Sequence, residues 1–395
     1  IFEGGIVDFK DVCVSFGMIA MCQVYSAFKL IFYVSKIMGF APYTILENGV
    51  LMPSRAARRY SIFLCSSVIA SELEVFAVRT MTDSPIYTTG FTLISSSSWV
   101  THLLSFVLSV RSHKEFAKIT QKLNTLDSML QQTLYARKKQ FYALLAQLVV
   151  GFIVLGLYLF WDNFYGDSKA PDVFGVVLKS FNLAVKFICI FGDYIVVLQY
   201  LNLVLFIGQH FSHVNVKFVE LGHLCSQNPS TARASSSVTF RAVSKITSPK
   251  PVGRQLDQVS VLVDIHNKLL DTVRSINSTY SLQILFNVAK MFVTLTFCLY
   301  FVLVTFSNDY DPQYKVRSLF ICLWSLVHLM LIIASCDYTK RQANRTTILV
   351  HKLLNKTKDP HVREELQLFS LQLFHRKVQF TACGFFPLDF TLLYA

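Results

Sequence analysis

Charged residues are scarce in this sequence. Only 15% of its 395 residues are Asp, Glu, Lys or Arg, against about 25% in ordinary soluble domains. Hydrophobic residues make up 53% of the chain, and 35 residues are Phe. A soluble monomer of this composition would expose large apolar patches. The composition therefore excludes most soluble enzymes, nucleic-acid-binding proteins and secreted disulfide modules, and it indicates a membrane protein.

Motifs for metal binding and catalysis are also missing. The nine cysteines form no CxxC pair, and no histidine cluster lies near them in the sequence, which argues against a metal site or a disulfide framework. No Ser/His/Asp arrangement, phosphate-binding loop or HExxH motif is evident. The sequence therefore predicts neither an enzyme nor a bound cofactor.

Long apolar runs are present instead. A helix needs about 20 mostly apolar residues to cross a bilayer, and six runs of that kind predict an all-α, polytopic membrane helical bundle. The fourth run has 35 residues, too many for a core of about 30 Å, so its helix is expected to project beyond the membrane. The runs are Tyr60–Val78, Ile86–Val110, Phe141–Phe160, Val173–Ile207, Gln283–Phe306 and Leu319–Cys336.

A shorter apolar stretch closes the sequence, from Gln379 to Ala395. It has 17 residues and contains Gly384 and Pro387, so it is too short to span a bilayer. The stretch predicts the start of a truncated seventh helix, as expected for a partial chain.

The formal charge of +13 comes from basic residues whose distribution among the loops indicates the membrane topology. Alternate loops carry 30 of the 37 Lys and Arg residues, whereas the loops of the opposite face carry four. Basic loops stay in the cytoplasm, so the N-terminus is predicted to be intracellular. The chain then divides into a cytoplasmic N-terminal region, 1–59, six transmembrane helices with cytoplasmic extensions, 60–336, and a cytoplasmic helix leading into the seventh, 337–395.

The cytoplasmic segments also have helical patterns. Apolar residues recur at helical spacing in 112–139 and in 259–276, which predicts helices with a face to bury. Residues 226–254 are rich in Ser, Pro and Arg and indicate a variable loop. Asp359-Pro360 is a typical helix start. The apolar face expected to follow it consists of Val362, Leu366, Phe369 and Leu373.

Two stretches resemble a known family. The run from Phe380 to Leu393, which follows the basic His375-Arg376-Lys377, is similar to the seventh-helix signature of insect gustatory receptors. The phrase from Phe32 to Pro42 resembles the cytoplasmic start of the same family. The signature's later Thr-Tyr and Gln-Phe pattern is absent.

The resemblance implies a seven-helix receptor in the bilayer of a sensory neuron's plasma membrane. Such a receptor is a ligand-gated cation channel, a homotetramer or a hetero-oligomer with related receptors, that detects small-molecule tastants. Its seventh helices would line the pore. The alternative is a G-protein-coupled type of sensory receptor without its own pore, which would require an extracellular N-terminus. A transporter is a third reading, but no repeated halves with broken helices are visible.

Polar and aromatic residues within the spans are candidates for a ligand site. Lys179, Lys186 and Asp193 are seven residues apart on nearly one face of the fourth span, beside Asn182. Charged residues in a span suggest a functional site, although a lysine near a helix end can snorkel to the interface. The candidate ligand-binding residues are Trp99, His102, Lys179, Asn182, Lys186, Trp324 and His328. Aromatic and cationic candidates favour bitter or plant-derived compounds over sugars.

Asp389 is the candidate pore-entrance residue. It follows Pro387 at the expected inner mouth of the pore, where a ring of four carboxylates would attract cations. The structural alternative makes Asp389 a buried partner of Arg376 or Lys377.

Overall fold

The structure of the chain is a computed structural model, and it describes residues 25–41, 43–45, 51–79, 85–130, 134–165, 173–226, 251–307 and 312–393. Within these ranges there are nine α-helices, a final 3₁₀ helix and two short antiparallel strand pairs, which confirms the predicted all-α class. The helices are α1 (Tyr25–Ile37), α2 (Arg55–Arg79), α3 (Pro85–Arg111), α4 (His113–Leu130), α5 (Leu134–Tyr165), α6 (Val173–Ser226), α7 (Pro251–Ser307), α8 (Pro312–Lys356) and α9 (Pro360–His375). The strands are β1 (Tyr43–Ile45), β2 (Leu51–Pro53), β3 (Thr381–Ala382) and β4 (Phe386–Pro387).

Five of the described helices are long and apolar enough to cross a membrane. Their candidate spans overlap the second to sixth predicted spans, and the last three extend well beyond the predicted ends. The first prediction, Tyr60–Val78, falls within α2, which is helical throughout but is not among the five. The five spans are Thr92–Arg111, Lys139–Trp161, Lys179–Leu224, Gln255–Val304 and Lys315–Lys356.

Two helices are much longer than a bilayer is thick. α6 has 54 residues, or roughly 81 Å at the rise of an α-helix, which confirms that it exceeds the hydrocarbon core. α7 has 57 residues and joins the predicted cytoplasmic helix 259–276 to the fifth predicted span.

Of the predicted variable loop, 227–250 lies outside the described residues. The loop prediction is wrong for 251–254, where α7 begins, because Pro251 suits the first turn of a helix.

The chain forms two compact units. The first comprises the chain up to Val196 together with Phe292–Cys322, and the second comprises Val197–Met291 and Leu323–Ala395. α6, α7 and α8 each contribute one part of their length to either unit.

In the second unit, α6 and α8 are joined by buried polar contacts. Thr339 Oγ1 donates to the Val204 carbonyl at 2.9 Å. Further along, Asn215 Nδ2 donates to the Gln342 carbonyl at 2.8 Å, and Thr346 Oγ1 donates to Asn215 Oδ1 at 2.7 Å. These hydrogen bonds satisfy polar groups buried between two long helices and define their register.

α9 begins where the sequence predicts. The Asp359 side chain caps it by accepting a hydrogen bond from the His361 amide at 2.9 Å, and Pro360 occupies its first turn. The predicted apolar face is confirmed, since all four of its residues are buried: Val362, Leu366, Phe369 and Leu373.

The prediction that α9 leads directly into a seventh helix is wrong as far as Leu393. α9 ends at His375, β3 and β4 then pair, and only Phe390–Leu393 forms a short 3₁₀ helix. The turn between β3 and β4 contains Cys383 at φ 51° and Gly384 at φ 77°, in the left-handed region that interrupts an α-helix. The Thr381 amide donates instead to Asn277 Oδ1 on α7 at 3.0 Å.

Candidate ligand site in the first unit

An apolar cluster joins α2, α3 and α6 in the first unit. Trp99 on α3 is half-buried and packs against Val68 of α2 and against Val185 and Cys189 of α6. Trp99 is one of the predicted site residues. The other three are apolar contacts that surround the indole with hydrophobic surface.

A polar contact lies next to this cluster. Ser71, one turn after Val68 on α2, donates from its hydroxyl to Asn182 Oδ1 at 2.8 Å. Asn182 precedes Val185 by one turn of α6, which places the amide at one end of the apolar cluster.

A second polar contact follows in the other direction along the helices. His102 lies one turn after Trp99 on α3, and its Nδ1 is 3.7 Å from Asp193 Oδ1 on α6. Both side chains are deeply buried, with exposed fractions of 2% and 9%. The ring of Phe40 meets the imidazole edge-on, with the ring centroids 4.9 Å apart.

These contacts follow one another along α6. From Asn182 to Asp193 the helix rises about 16 Å, with polar groups at either end and the Trp99 cluster between them. A small organic ligand requires apolar and aromatic walls for affinity and a few polar groups for orientation. Helices α3 and α6 supply both kinds of group in one row, which we call the α3/α6 row: Asn182, Val185, Cys189, Asp193, Trp99 and His102.

The two lysines of the predicted site are on the same helix. Lys179 and Lys186 are both half-buried, and their spacing places them on nearly the same face as Asp193. Of the predicted site residues, Trp99, His102 and Asn182 thus lie in the row. Ligand contact by the two lysines stays a prediction.

Trp324 and His328 lie on α8 in the second unit. Their rings meet edge-on at a centroid distance of 4.5 Å, with His328 buried and Trp324 half-buried. The predicted shared face is confirmed, and a role in ligand binding stays a prediction.

Asp389 is held by contacts within the second unit. Its carboxylate accepts a hydrogen bond from Lys340 Nζ at 2.9 Å and others from the hydroxyl and amide of Thr391. The predicted structural partners are wrong, because Arg376 binds Asp271 and Asn267 instead, and Lys377 lies over the Phe374 ring. Arg376 is therefore paired with α7, whereas Asp389 is paired with Lys340 of α8.

Comparison with known proteins identifies the family. The model of the 7tm Chemosensory receptor family matches residues 28–395. The chain belongs to this chemosensory receptor family. The receptor is 32% identical over 139 residues to the putative gustatory receptor 28b of Drosophila melanogaster. That match covers 33% of the chain and spans only 30% of the relative's length.

Two further similarities extend over nearly the whole receptor. The gustatory and pheromone receptor 32a of Drosophila melanogaster is 22% identical over 386 residues, covering 94% of the chain and 82% of the relative. The structure of the insect olfactory receptor OR5 from Machilis hrabei matches with a TM-score of 0.59 at 14% identity, covering 93% of each chain. OR5 has also been solved in complex with eugenol. These matches confirm the resemblance to insect gustatory receptors and the helical membrane fold, in a family of receptors rather than enzymes.

Sequence reasoning missed Phe40 and Ser71, which lie in or beside the receptor's α3/α6 row, and it placed Asp193 on the polar face of the fourth span without choosing it as a ligand-binding residue. Asp193 carried a usable signal, since it is a charged residue within a span at a seven-residue spacing from two lysines. Ser71 and Phe40 carried none, because serine and phenylalanine are common residues in this sequence and their contacts join distant parts of the chain.

The contacts of Asp389 in the receptor change the pKa of its carboxyl group. Hydrogen bonds from Thr391 and from Lys340 lower the pKa of its carboxyl group below the ordinary value. The stabilising contribution of the carboxylate is therefore present at neutral pH and is lost only as the pH falls through that lowered pKa. These contacts therefore favour the ionised form of the Asp389 carboxyl group.

Proposed function

We propose that this receptor is a gustatory receptor and a subunit of a ligand-gated, nonselective cation channel that detects small-molecule tastants. It acts as a homotetramer, or together with related receptors, in the plasma membrane of a sensory neuron. The observation that carries the proposal is the α3/α6 row, in a chain of a chemosensory family. A membrane receptor with a row of aromatic and polar side chains between its helices is suited to small organic ligands.

The chemistry of the row suggests the ligand class. Trp99 offers an aromatic wall, Asn182 a hydrogen-bonding amide, and His102 with Asp193 a polar end. Lys186 adds a cationic group on the same helix. Such a site favours bitter or plant-derived compounds with an aromatic or apolar body over sugars, which require many hydrogen bonds and little apolar surface.

Gating follows from differential binding. A ligand can shift the receptor toward an open state only if it binds that state more tightly than the closed one. In the proposed channel, a ligand on the α3/α6 row stabilises the arrangement of helices in which the pore is open. A current carried by the receptor itself needs no G protein.

Whole-cell recording from cells that express the full-length natural receptor tests the ligand site. We expect Trp99→Ala to raise the half-maximal agonist concentration about 10- to 100-fold, because a bound ligand would bury the half-exposed indole, and burial of a large apolar side chain contributes about 1.5–3 kcal/mol. Trp161→Ala is the matched control, since Trp161 is exposed on α5 and should leave the agonist response unchanged. Equal shifts in both variants would contradict the assignment of the site.

The same recordings test the channel mechanism. In excised patches without GTP, agonist current should persist, because the proposed pore belongs to the receptor. An agonist response that strictly required G-protein signalling would instead support the alternative receptor class.

Asp389 provides a test of the proposed pore entrance. Asp389→Asn should lower the single-channel conductance for cations, since a ring of carboxylates concentrates cations at a pore mouth. Lys340→Gln is the control, because it removes the ion pair but keeps the carboxylate, so conductance should not fall. Normal conductance in Asp389→Asn would show that Asp389 is not at the pore entrance.

A further inference from the structure

The segment after α1 makes a fixed corner in the first unit. The amides of Met38, Gly39 and Phe40 donate to carbonyls of the last turns of α1 at 2.8–3.1 Å. Gly39 has a φ of 83°, a conformation that glycine adopts at no steric cost. Phe40 and Ala41 are both only 2% exposed, so the chain enters the protein at this corner.

Two further contacts hold the corner in place. The Tyr60 hydroxyl on α2 donates to the Ile37 carbonyl at 2.8 Å. Phe32 and Ala41 form a buried cluster with Phe116 of α4. The position of Phe40 is therefore determined by its neighbours in the chain and by two other helices.

The Phe40 ring lies between α3 and α6, beside the polar end of the α3/α6 row. It contacts His102 edge-on, and it fills the space over Gly192, the residue before Asp193. A Cβ atom at Gly192 would come within 2.8 Å of Phe40 Cε2 and 3.0 Å of His102 Cε1. Only glycine at position 192 leaves room for both rings.

We propose that Phe40 closes this end of the ligand site and limits the size of the ligand that the site accepts. The inference rests on the proposed ligand site along the α3/α6 row. Asn182 and Ser71 mark one end of the row, and the ring of Phe40 blocks its continuation past His102 and Asp193. A ligand extended by a further ring or branched alkyl group at that end would collide with Phe40.

Phe40 is thus a specificity-determining residue rather than only a core residue. Truncating a core phenylalanine leaves an apolar cavity, and apolar cavities of that size can stay dry and admit an aromatic guest. A purely structural role predicts weaker responses to every ligand, whereas the proposed role predicts a changed preference between small and extended ligands.

The test uses pairs of agonists that differ by one phenyl or branched alkyl group. Ligand binding to the detergent-purified receptor and agonist current in cells are both measured. In Phe40→Ala we expect the extended member to gain roughly tenfold or more in potency relative to its parent, the usual gain when a pocket accommodates a further apolar group. Phe32→Ala is the matched control, because Phe32 is equally buried but packs against Phe116, and it should leave the preference unchanged.

A second pair of variants tests the contact directly. Gly192→Ala alone should weaken binding of every ligand, since its Cβ displaces Phe40 and His102. Phe40→Ala combined with Gly192→Ala should restore binding of the parent agonist, because the smaller residue at 40 makes room for the new methyl group. Effects that simply add would overturn the proposed packing of Phe40 over Gly192.

The outcomes separate this inference from the proposed function. If the wild-type receptor binds agonists without current, the channel proposal fails while the size preference is still measured by binding. If the wild-type receptor binds and conducts but Phe40→Ala and Phe32→Ala show the same ligand preference, the role of Phe40 is overturned and the proposed function stands. If no tested agonist binds the wild-type receptor, the ligand site and the role of Phe40 both fail.

Discussion

Phe369→Ala is expected to lower the free energy of unfolding by about 3–5 kcal/mol, the usual cost of truncating a buried phenylalanine. Phe369 is 1% exposed at the centre of the buried face of α9. Its ring stacks against Phe218 of α6, with centroids 6.0 Å apart, and meets His266 of α7 edge-on at 5.2 Å. Removing the ring takes away the contact that joins α9 to two long helices of the second unit.

The measurement is the thermal unfolding of detergent-solubilised receptor, followed by fluorescence-detected size-exclusion chromatography. Phe374→Ala is the matched control, since Phe374 lies on the same helix but is 67% exposed within the chain. The Phe369→Ala receptor should have a melting temperature several degrees below that of wild type, whereas the Phe374→Ala receptor should melt near the wild-type temperature. Similar melting temperatures for the two variants would contradict the described docking of α9.

Breaking the buried contact between His102 and Asp193 is expected to destabilise the receptor. In His102→Leu, the Asp193 carboxylate stays buried but loses the imidazole that faces it at 3.7 Å. Leaving a buried polar group with fewer polar contacts usually costs about 1–3 kcal/mol, whereas replacing both groups by apolar ones of similar shape is often nearly neutral. We therefore expect the single variant to lose folded receptor and His102→Leu combined with Asp193→Leu to recover it.

The yield of monodisperse receptor after detergent extraction measures this recovery. Agonist binding provides a second readout, because the double variant keeps the packing but removes the polar end of the proposed site. We expect it to fold and to bind agonists more weakly than wild type. A double variant as poorly folded as His102→Leu would contradict the pairing of the two side chains.

The spans and the face of α9 could be predicted because their signals are local. Membrane insertion requires a continuous run of apolar residues, and such a run is visible directly in the sequence. The helix start at Asp359 also depends on neighbours, since the capping side chain binds an amide two residues away. Helical spacing then identified which side of α9 is buried.

The segment after α9 shows where local signals were insufficient. Its apolar composition suggested a seventh helix from Gln379, but the Thr381 backbone instead binds Asn277, 104 residues earlier in the chain. The left-handed residues at 383 and 384 complete a turn. No sequence pattern within the segment indicates that its backbone will bind Asn277 on α7, and this contact helps to hold the hairpin in place.

The sequence by itself determined the membrane class, five of the spans and the family signature of this receptor, because composition, periodicity and short motifs act over a few helical turns. Only the tertiary structure determined the contact partner of each candidate residue. Asp193 faces His102, Asp389 pairs with Lys340, and Phe40 packs over Gly192. These pairs are far apart in sequence, and helix packing brings them together through the shapes and polar groups of whole helix faces. A buried polar group must find a partner, but the sequence does not say which one the fold will provide.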